Sequence, residues 1–197
     1  MDKYKIIALY GKSASGKDTF LKVALDYFKN FHKIINSTTR PPREGEQDGA
    51  AYHFLTNEEF TIQVLNCSMF EATLFRDWYY GTNINDLDKN KINIGIFNPA
   101  SLDIILKDNR FEVIPIYILT EPKTSLIRSL EREDNPDIDE IIRRYQADKK
   151  DFEIFFTEHP ALPDYCLWNG TKDNLSVDRV SAYLNLVLEL EHWDKNK

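Results

Sequence analysis

Cysteine is scarce in this chain: Cys67 and Cys166 are its only two, and they lie far apart. That spacing excludes a cysteine metal knot and predicts two buried or half-buried thiols. Long hydrophobic runs are missing too, so no segment approaches the length of a membrane span. The first residues, Met1-Asp2-Lys3, lead straight into a strand pattern with no secretory signature, which predicts a protein of the reducing cytoplasm. Positive charge is in deficit, with 25 Lys and Arg against 32 Asp and Glu and a net charge of −7. A sequence-independent nucleic-acid binder is thereby excluded, and any site for an anionic ligand must gather its cations locally. There are no repeats and no low-complexity tract. What is present is 197 residues, 42% hydrophobic and 29% charged, enough for one globular domain with a sizeable core.

One stretch organises the rest. The apolar run Tyr4 to Tyr10 reads as a buried strand, and Phe20, Val23, Ala24 and Phe28 fall on one face of a following helix. Between them lies Gly11-Lys12-Ser13-Ala14-Ser15-Gly16-Lys17-Asp18-Thr19. A strand, a glycine-bounded loop ending in lysine, and a helix make a P-loop, in which backbone N–H groups and the helix N-terminus converge on phosphate. Lys17 would reach the outer phosphates as a point charge. The Ser or Thr that ordinarily follows the lysine, with its hydroxyl on Mg²⁺, is here Asp18, and Thr19 comes one residue late; either is a candidate Mg²⁺ ligand.

Next comes a short strand over 33–36. A polar segment rich in proline and glycine follows, running from Ser37 through Arg40 and Arg43 to Tyr52. Guanidinium and hydroxyl groups in such a segment suit a phosphate monoester. Its pattern, Ser37-Thr38-Thr39-Arg40-x-Pro42-Arg43-x-Gly45-Glu46-x-Asp48-Gly49-x-x-Tyr52-x-Phe54, resembles the monophosphate-binding loop of guanylate kinases. The resemblance extends over nearly the whole chain. It implies an α/β fold of P-loop NTPase type, with a parallel sheet flanked by helices, an inserted acceptor-binding region and a helical lid. The implied segments are a core of about 1–35, 84–125 and 158–197, an acceptor region of about 36–83 and a lid of about 126–157. The implied reaction moves the γ-phosphoryl of ATP to GMP with Mg²⁺, acting on small-molecule nucleotides with no nucleic-acid, membrane or protein partner.

Carried over position by position, the resemblance gives Arg40, Arg43, Tyr52 and Tyr80 to the acceptor phosphate, with Ser37 and Thr82 in the flanking motifs. Glu71 falls to the guanine, whose N1–H and N2–H₂ a carboxylate accepts and adenine lacks. Asn36 stands where the family has a base-contacting serine, and its amide can donate to guanine O6. The family's Asp-x-Asp pair at the end of the central strand is absent from Lys91 to Ala100, leaving Asn98 as the polar candidate; it reads equally as a helix N-cap before Pro99. Arg128 and Arg132 resemble the start of the lid, and Arg144, or Arg143 if the loop is one residue shorter, its return. Asn169 matches a position beside the adenine of ATP and reads equally as a turn residue. The lost aspartates leave open dGMP or a modified purine as acceptor. A non-catalytic binding domain is a further alternative, which retention of Lys17 and the lid arginines disfavours. The remaining elements expected are a helix over 56–65, a helix from Ser101 to Lys107, a strand from Phe111 to Leu119, a long helix ending before Pro160, a strand from Tyr165, and a closing helix with Val177, Val180, Leu184, Val187 and Leu188 as its core stripe.

Overall fold

The structure is a computed structural model that describes residues 3–42, 45–50, 52–75, 77–132, 134–170 and 175–194. Five strands build a parallel sheet: β1 (Tyr4–Tyr10), β2 (Phe31–Lys33), β7 (Ile92–Ile96), β8 (Phe111–Leu119) and β9 (Tyr165–Trp168), in the order β2-β7-β1-β8-β9. β1 is central. Its residues Ile6 to Tyr10 are wholly buried, as expected where helices cover both faces of a parallel sheet. Ile7 and Leu9 pack towards α1 (Lys17–Tyr27) and α6 (Val177–Leu190) through Phe20, Ala24, Leu184 and Leu188. Ile6, Ala8 and Tyr10 pack on the opposite side with α3 (Pro99–Lys107) and α5 (Ile138–Glu158), through Leu102, Ile105, Phe152 and Phe155. The period of two along β1 therefore serves two half-cores.

A second sheet stands apart from the first, in the order β4-β3-β6-β5: β3 (Ser37–Thr38), β4 (His53–Phe54), β5 (Met69–Phe75) and β6 (Trp78–Asn83). Before β5 runs α2 (Asn57–Leu65), opened by a capping box: Thr56 accepts from the Glu59 amide, and Glu59 accepts from the Thr56 amide. In the chain, α4 (Pro122–Leu130) runs between β8 and α5.

Several expectations need correction. β2 ends at Lys33 rather than Asn36, because the backbone leaves the sheet edge there; Asn36 reaches Ile96 O at 3.0 Å with its side-chain amide instead. β7 stops at Ile96, since Asn98 caps α3 and Pro99 takes its first turn, so the helix starts before Ser101. Val177 is half exposed, being the first residue of α6, ahead of the turns that meet the core. Both cysteines are exposed: Cys67 sits in a left-handed turn after α2, and Cys166 lies on the edge strand β9.

Candidate active site

The loop between β1 and α1 has the backbone of an anion cradle. Gly11, Ala14 and Gly16 hold φ of 153°, 54° and 99°, a region that glycine adopts freely and alanine only with strain. At Gly16 a Cβ would collide with the side-chain amide of Asn169, and at Gly11 it would lie 2.7 Å from Ile118 O. Lys17 folds back over its own loop, donating to Gly11 O at 2.8 Å and Lys12 O at 2.9 Å. Burial lowers its pKa, opposed by Asp18 and Asp148.

Residues at the ends of β8 and β9 brace the loop from behind. The Asn169 side chain donates to Ser15 O at 2.7 Å, the Thr120 hydroxyl donates to the same oxygen at 3.1 Å, and Arg128 reaches Asn169 O at 3.4 Å. Asn169 is 3% exposed, and neither it nor Arg128 lines a hollow.

Two hollows flank the loop. One is walled by Lys12, Ser125, Ser129, Glu140, Ile141 and Tyr145, among others. The second is walled by Gly11, Lys17, Asp18, Asn36, Tyr52, Tyr80, Ile96, Phe97 and Asn98, among others. Ser13, Ala14, Arg132, Arg144 and Asp148 belong to both. The hollows thus meet over the phosphate loop, beneath two arginines. Between the alternatives for the lid arginine, Arg144 faces this junction and Arg143 does not, although both pair with Glu140 at 2.6 Å. Arg132 and Arg144, with Lys12 and Lys17, bring positive charge to the two hollows.

On the acceptor side, Arg40 is held by Glu46 at 2.9 Å and stacks its guanidinium over the rings of Tyr52 and Phe54. Tyr52 and Tyr80 are in edge contact, and burial pushes the Tyr52 hydroxyl up to about 12. Asn98 is the helix N-cap, its Oδ1 accepting from the Ser101 amide at 2.9 Å, and it also lines the second hollow. Glu71 is 3% exposed, with one oxygen accepting from the Thr82 hydroxyl at 2.6 Å and the other from the Ser101 hydroxyl at 2.7 Å. Burial raises its pKa to about 7, against the pull of those two bonds. Ser37 is buried in β3. Arg43 lies outside the described residues.

For Mg²⁺, the oxygen donors present are of the right hardness. Asp18 and Asp148 both line the second hollow. Among the described residues no group of three or more His, Cys, Asp or Glu converges on a metal position. Thr19, one step further along α1, is exposed and lines neither hollow.

Two site residues escaped the sequence reading. Asp148, 8% exposed on α5, accepts from the Ser13 amide at 2.6 Å, placing a carboxylate on the kind of donor a phosphate oxygen uses. In sequence it is one polar residue of a polar helix face, with nothing to mark it. Ser101, beyond the Asn98 cap, looked like the start of a helix and nothing more.

A P-loop at the carboxyl end of a parallel sheet, opening on two hollows that share its phosphate-facing wall, defines a nucleotide-binding protein of the P-loop class. The family model described as guanylate kinase matches residues 3–162, and the chain belongs to the guanylate kinase family. It is 31% identical over 146 residues to guanylate kinase from Campylobacter jejuni strain RM1221, covering 72% of this chain and 71% of that one. Guanylate kinase from Prochlorococcus marinus strain MIT 9312 is 35% identical over 136 residues, 64% of this chain and 70% of its own. In fold, the chain matches the crystal structure of guanylate kinase from Anaplasma phagocytophilum with a TM-score of 0.64 at 20% identity, over 98% of this chain and 89% of that one. The chain is accordingly a nucleoside monophosphate kinase, of a family that phosphorylates GMP to GDP with ATP. Among its described residues no helix is long and apolar enough to cross a membrane.

Proposed function

We propose that the chain phosphorylates GMP with ATP by the following division of roles. ATP takes the hollow beside Lys12 and Tyr145 and lays its phosphates on the loop from Gly11 to Thr19. GMP takes the hollow beside Tyr52 and Tyr80, its phosphate held by Arg40, Arg43 and the two tyrosines. Glu71 accepts from the guanine edge, with Thr82 behind it. The acceptor region is about 36–83 and the lid about 126–157, and the work is done in the cytoplasm, where two exposed thiols stay reduced.

The observation that carries this reading is the shared wall of the two hollows. Phosphoryl transfer through a loose transition state needs little covalent help; it needs in-line placement and neutralised oxygens. Lys17, Arg132 and Arg144 converge where donor and acceptor would meet, which supports their assignment to that charge. Closure of the lid would exclude water, the competing acceptor. When bound, Mg²⁺ would neutralise charge on the donor phosphates, with Asp18, which lines the second hollow, a carboxylate to hold it.

The test is ADP release with ATP and Mg²⁺ across GMP, dGMP and AMP. Turnover with GMP well above AMP is the expected result. A preference for dGMP moves the acceptor and keeps the mechanism. Nucleotide binding without turnover on any acceptor would overturn the reading in favour of a binding domain.

A further inference from the structure

Glu71 does not stand alone in its buried surroundings. Asn98 Nδ2 donates to the Thr73 hydroxyl at 3.2 Å, the Thr73 and Ser101 hydroxyls are 3.3 Å apart, and Ser101 donates to Glu71 Oε2 at 2.7 Å. The ends of this chain fix its direction. An amide N–H can only donate and a carboxylate can only accept, so each hydroxyl between them receives from one side and gives to the other. Ser101 is further pinned by its own backbone, whose N–H goes to Asn98 Oδ1. The series runs from the wall of the second hollow, through β5, to the carboxylate, tying the smaller sheet to the N-terminus of α3.

We propose that Ser101 is a positioning residue for acceptor-base recognition, holding the Glu71 carboxylate so that its remaining lone pairs meet a purine edge carrying two adjacent N–H donors. The inference rests on the reading of Glu71 as the base reader. A buried carboxylate with both oxygens capped by hydroxyls has few orientations left, and pre-set direction separates a selective acceptor from a sticky one. Thr82 alone caps Oε1 and leaves the carboxylate free to swing about that bond; Ser101 removes this freedom. No ionisable partner does the same work: the causes of the Glu71 pKa are burial and these two hydroxyl bonds. The ionisable groups of α3, Asp103 and Lys107, pair with each other, and those of β6 are Tyr79 and Tyr80.

The experiment is steady-state kinetics of Ser101→Ala, Ser101→Thr, Thr73→Val and Glu71→Ala against GMP and AMP across pH 6–9, with unfolding curves as a folding control. Loss of a hydrogen bond to a charged group predicts that Ser101→Ala raises KM for GMP by on the order of tenfold or more, with KM for ATP and kcat at saturating GMP changed less than about twofold. The acid limb of kcat/KM for GMP moves to higher pH, because an ionised form that lost a donor is harder to reach. Ser101→Thr restores both. Thr73→Val, which cuts the series behind Ser101 without touching Glu71, shifts them in the same direction by less. If Ser101→Ala lowers kcat or raises both KM values alike, or leaves the acid limb in place, Ser101 is structural only and the proposal fails. If Glu71→Ala leaves the preference for GMP over AMP intact, the reading beneath it fails instead, and the two failures are told apart.

Discussion

Glu71→Gln offers a test that needs no substrate. The folded protein raises this carboxyl from 4.5 to about 7, so it binds a proton more tightly than the unfolded chain does. The protonated form is therefore favoured by folding. That contribution is complete below pH 4.5, is lost as pH rises towards 7, and is flat above it. A rise of this size corresponds to on the order of 3 kcal/mol. Glutamine is close in shape and cannot ionise. Its amide oxygen can accept from the Ser101 hydroxyl, and its NH₂ can donate to the Thr82 hydroxyl once that hydroxyl turns. The unfolding free energy of the wild type minus that of Glu71→Gln should then fall by on the order of 3 kcal/mol between pH 5 and pH 8. Other titrating groups, such as Asp86 beside His53, occur in both proteins and cancel in the difference. In melting temperature this is a relative shift of roughly 6–12 °C in favour of the variant at the alkaline end. Parallel stability curves across that range would refute the claim that Glu71 is buried at a cost to its charged form.

Three further outcomes follow from the loop and lid. Lys17→Ala should lower kcat by roughly 10²-fold or more in a coupled ADP-release assay, since Lys17 is the loop's side-chain cation at the phosphate junction; turnover within a fewfold of wild type would remove it from the mechanism. Asp148→Asn keeps an acceptor for the Ser13 amide but removes a negative charge from the phosphate cradle, so pyrophosphate measured calorimetrically without divalent metal should bind on the order of tenfold more tightly. Weaker pyrophosphate binding would refute the reading that the Asp148 carboxylate competes with phosphate for the Ser13 amide. Arg144→Ala should reduce kcat by about 10²-fold or more, whereas Arg143→Ala, exposed and outside both hollows, should stay near wild type; equal losses would refute the assignment of the lid arginine to Arg144.

What could be read from the chain, and what could not, divides along sequence separation. The phosphate loop is legible because phosphate imposes its demands within nine residues: glycine where a Cβ would strike Ile118 O or the Asn169 amide, and a lysine at the loop's end. The strand Phe111–Leu119 and the capping box at Thr56 are legible for the same reason, each being a local pattern with a local cause. Ser101 and Asp148 are not. Their partners are 30 and 135 residues away, and a single hydroxyl or carboxylate on a helix has no period that betrays whom it meets. β2 was misplaced by a related cause, since its end is decided by where the sheet edge runs out, and Asn36 continues the contact by side chain alone. The chain's departures from the family pattern did mark the right neighbourhood. Asp18 stands beside the junction where Asp148 meets the loop, and β7, the strand where the family's aspartates are missing, ends at Ile96 and runs into the Asn98 cap that seats Ser101. Ser101 donates to Glu71 from the helix just beyond that strand. A departure from a local motif therefore marks a neighbourhood, while only the folded chain shows which residues meet there.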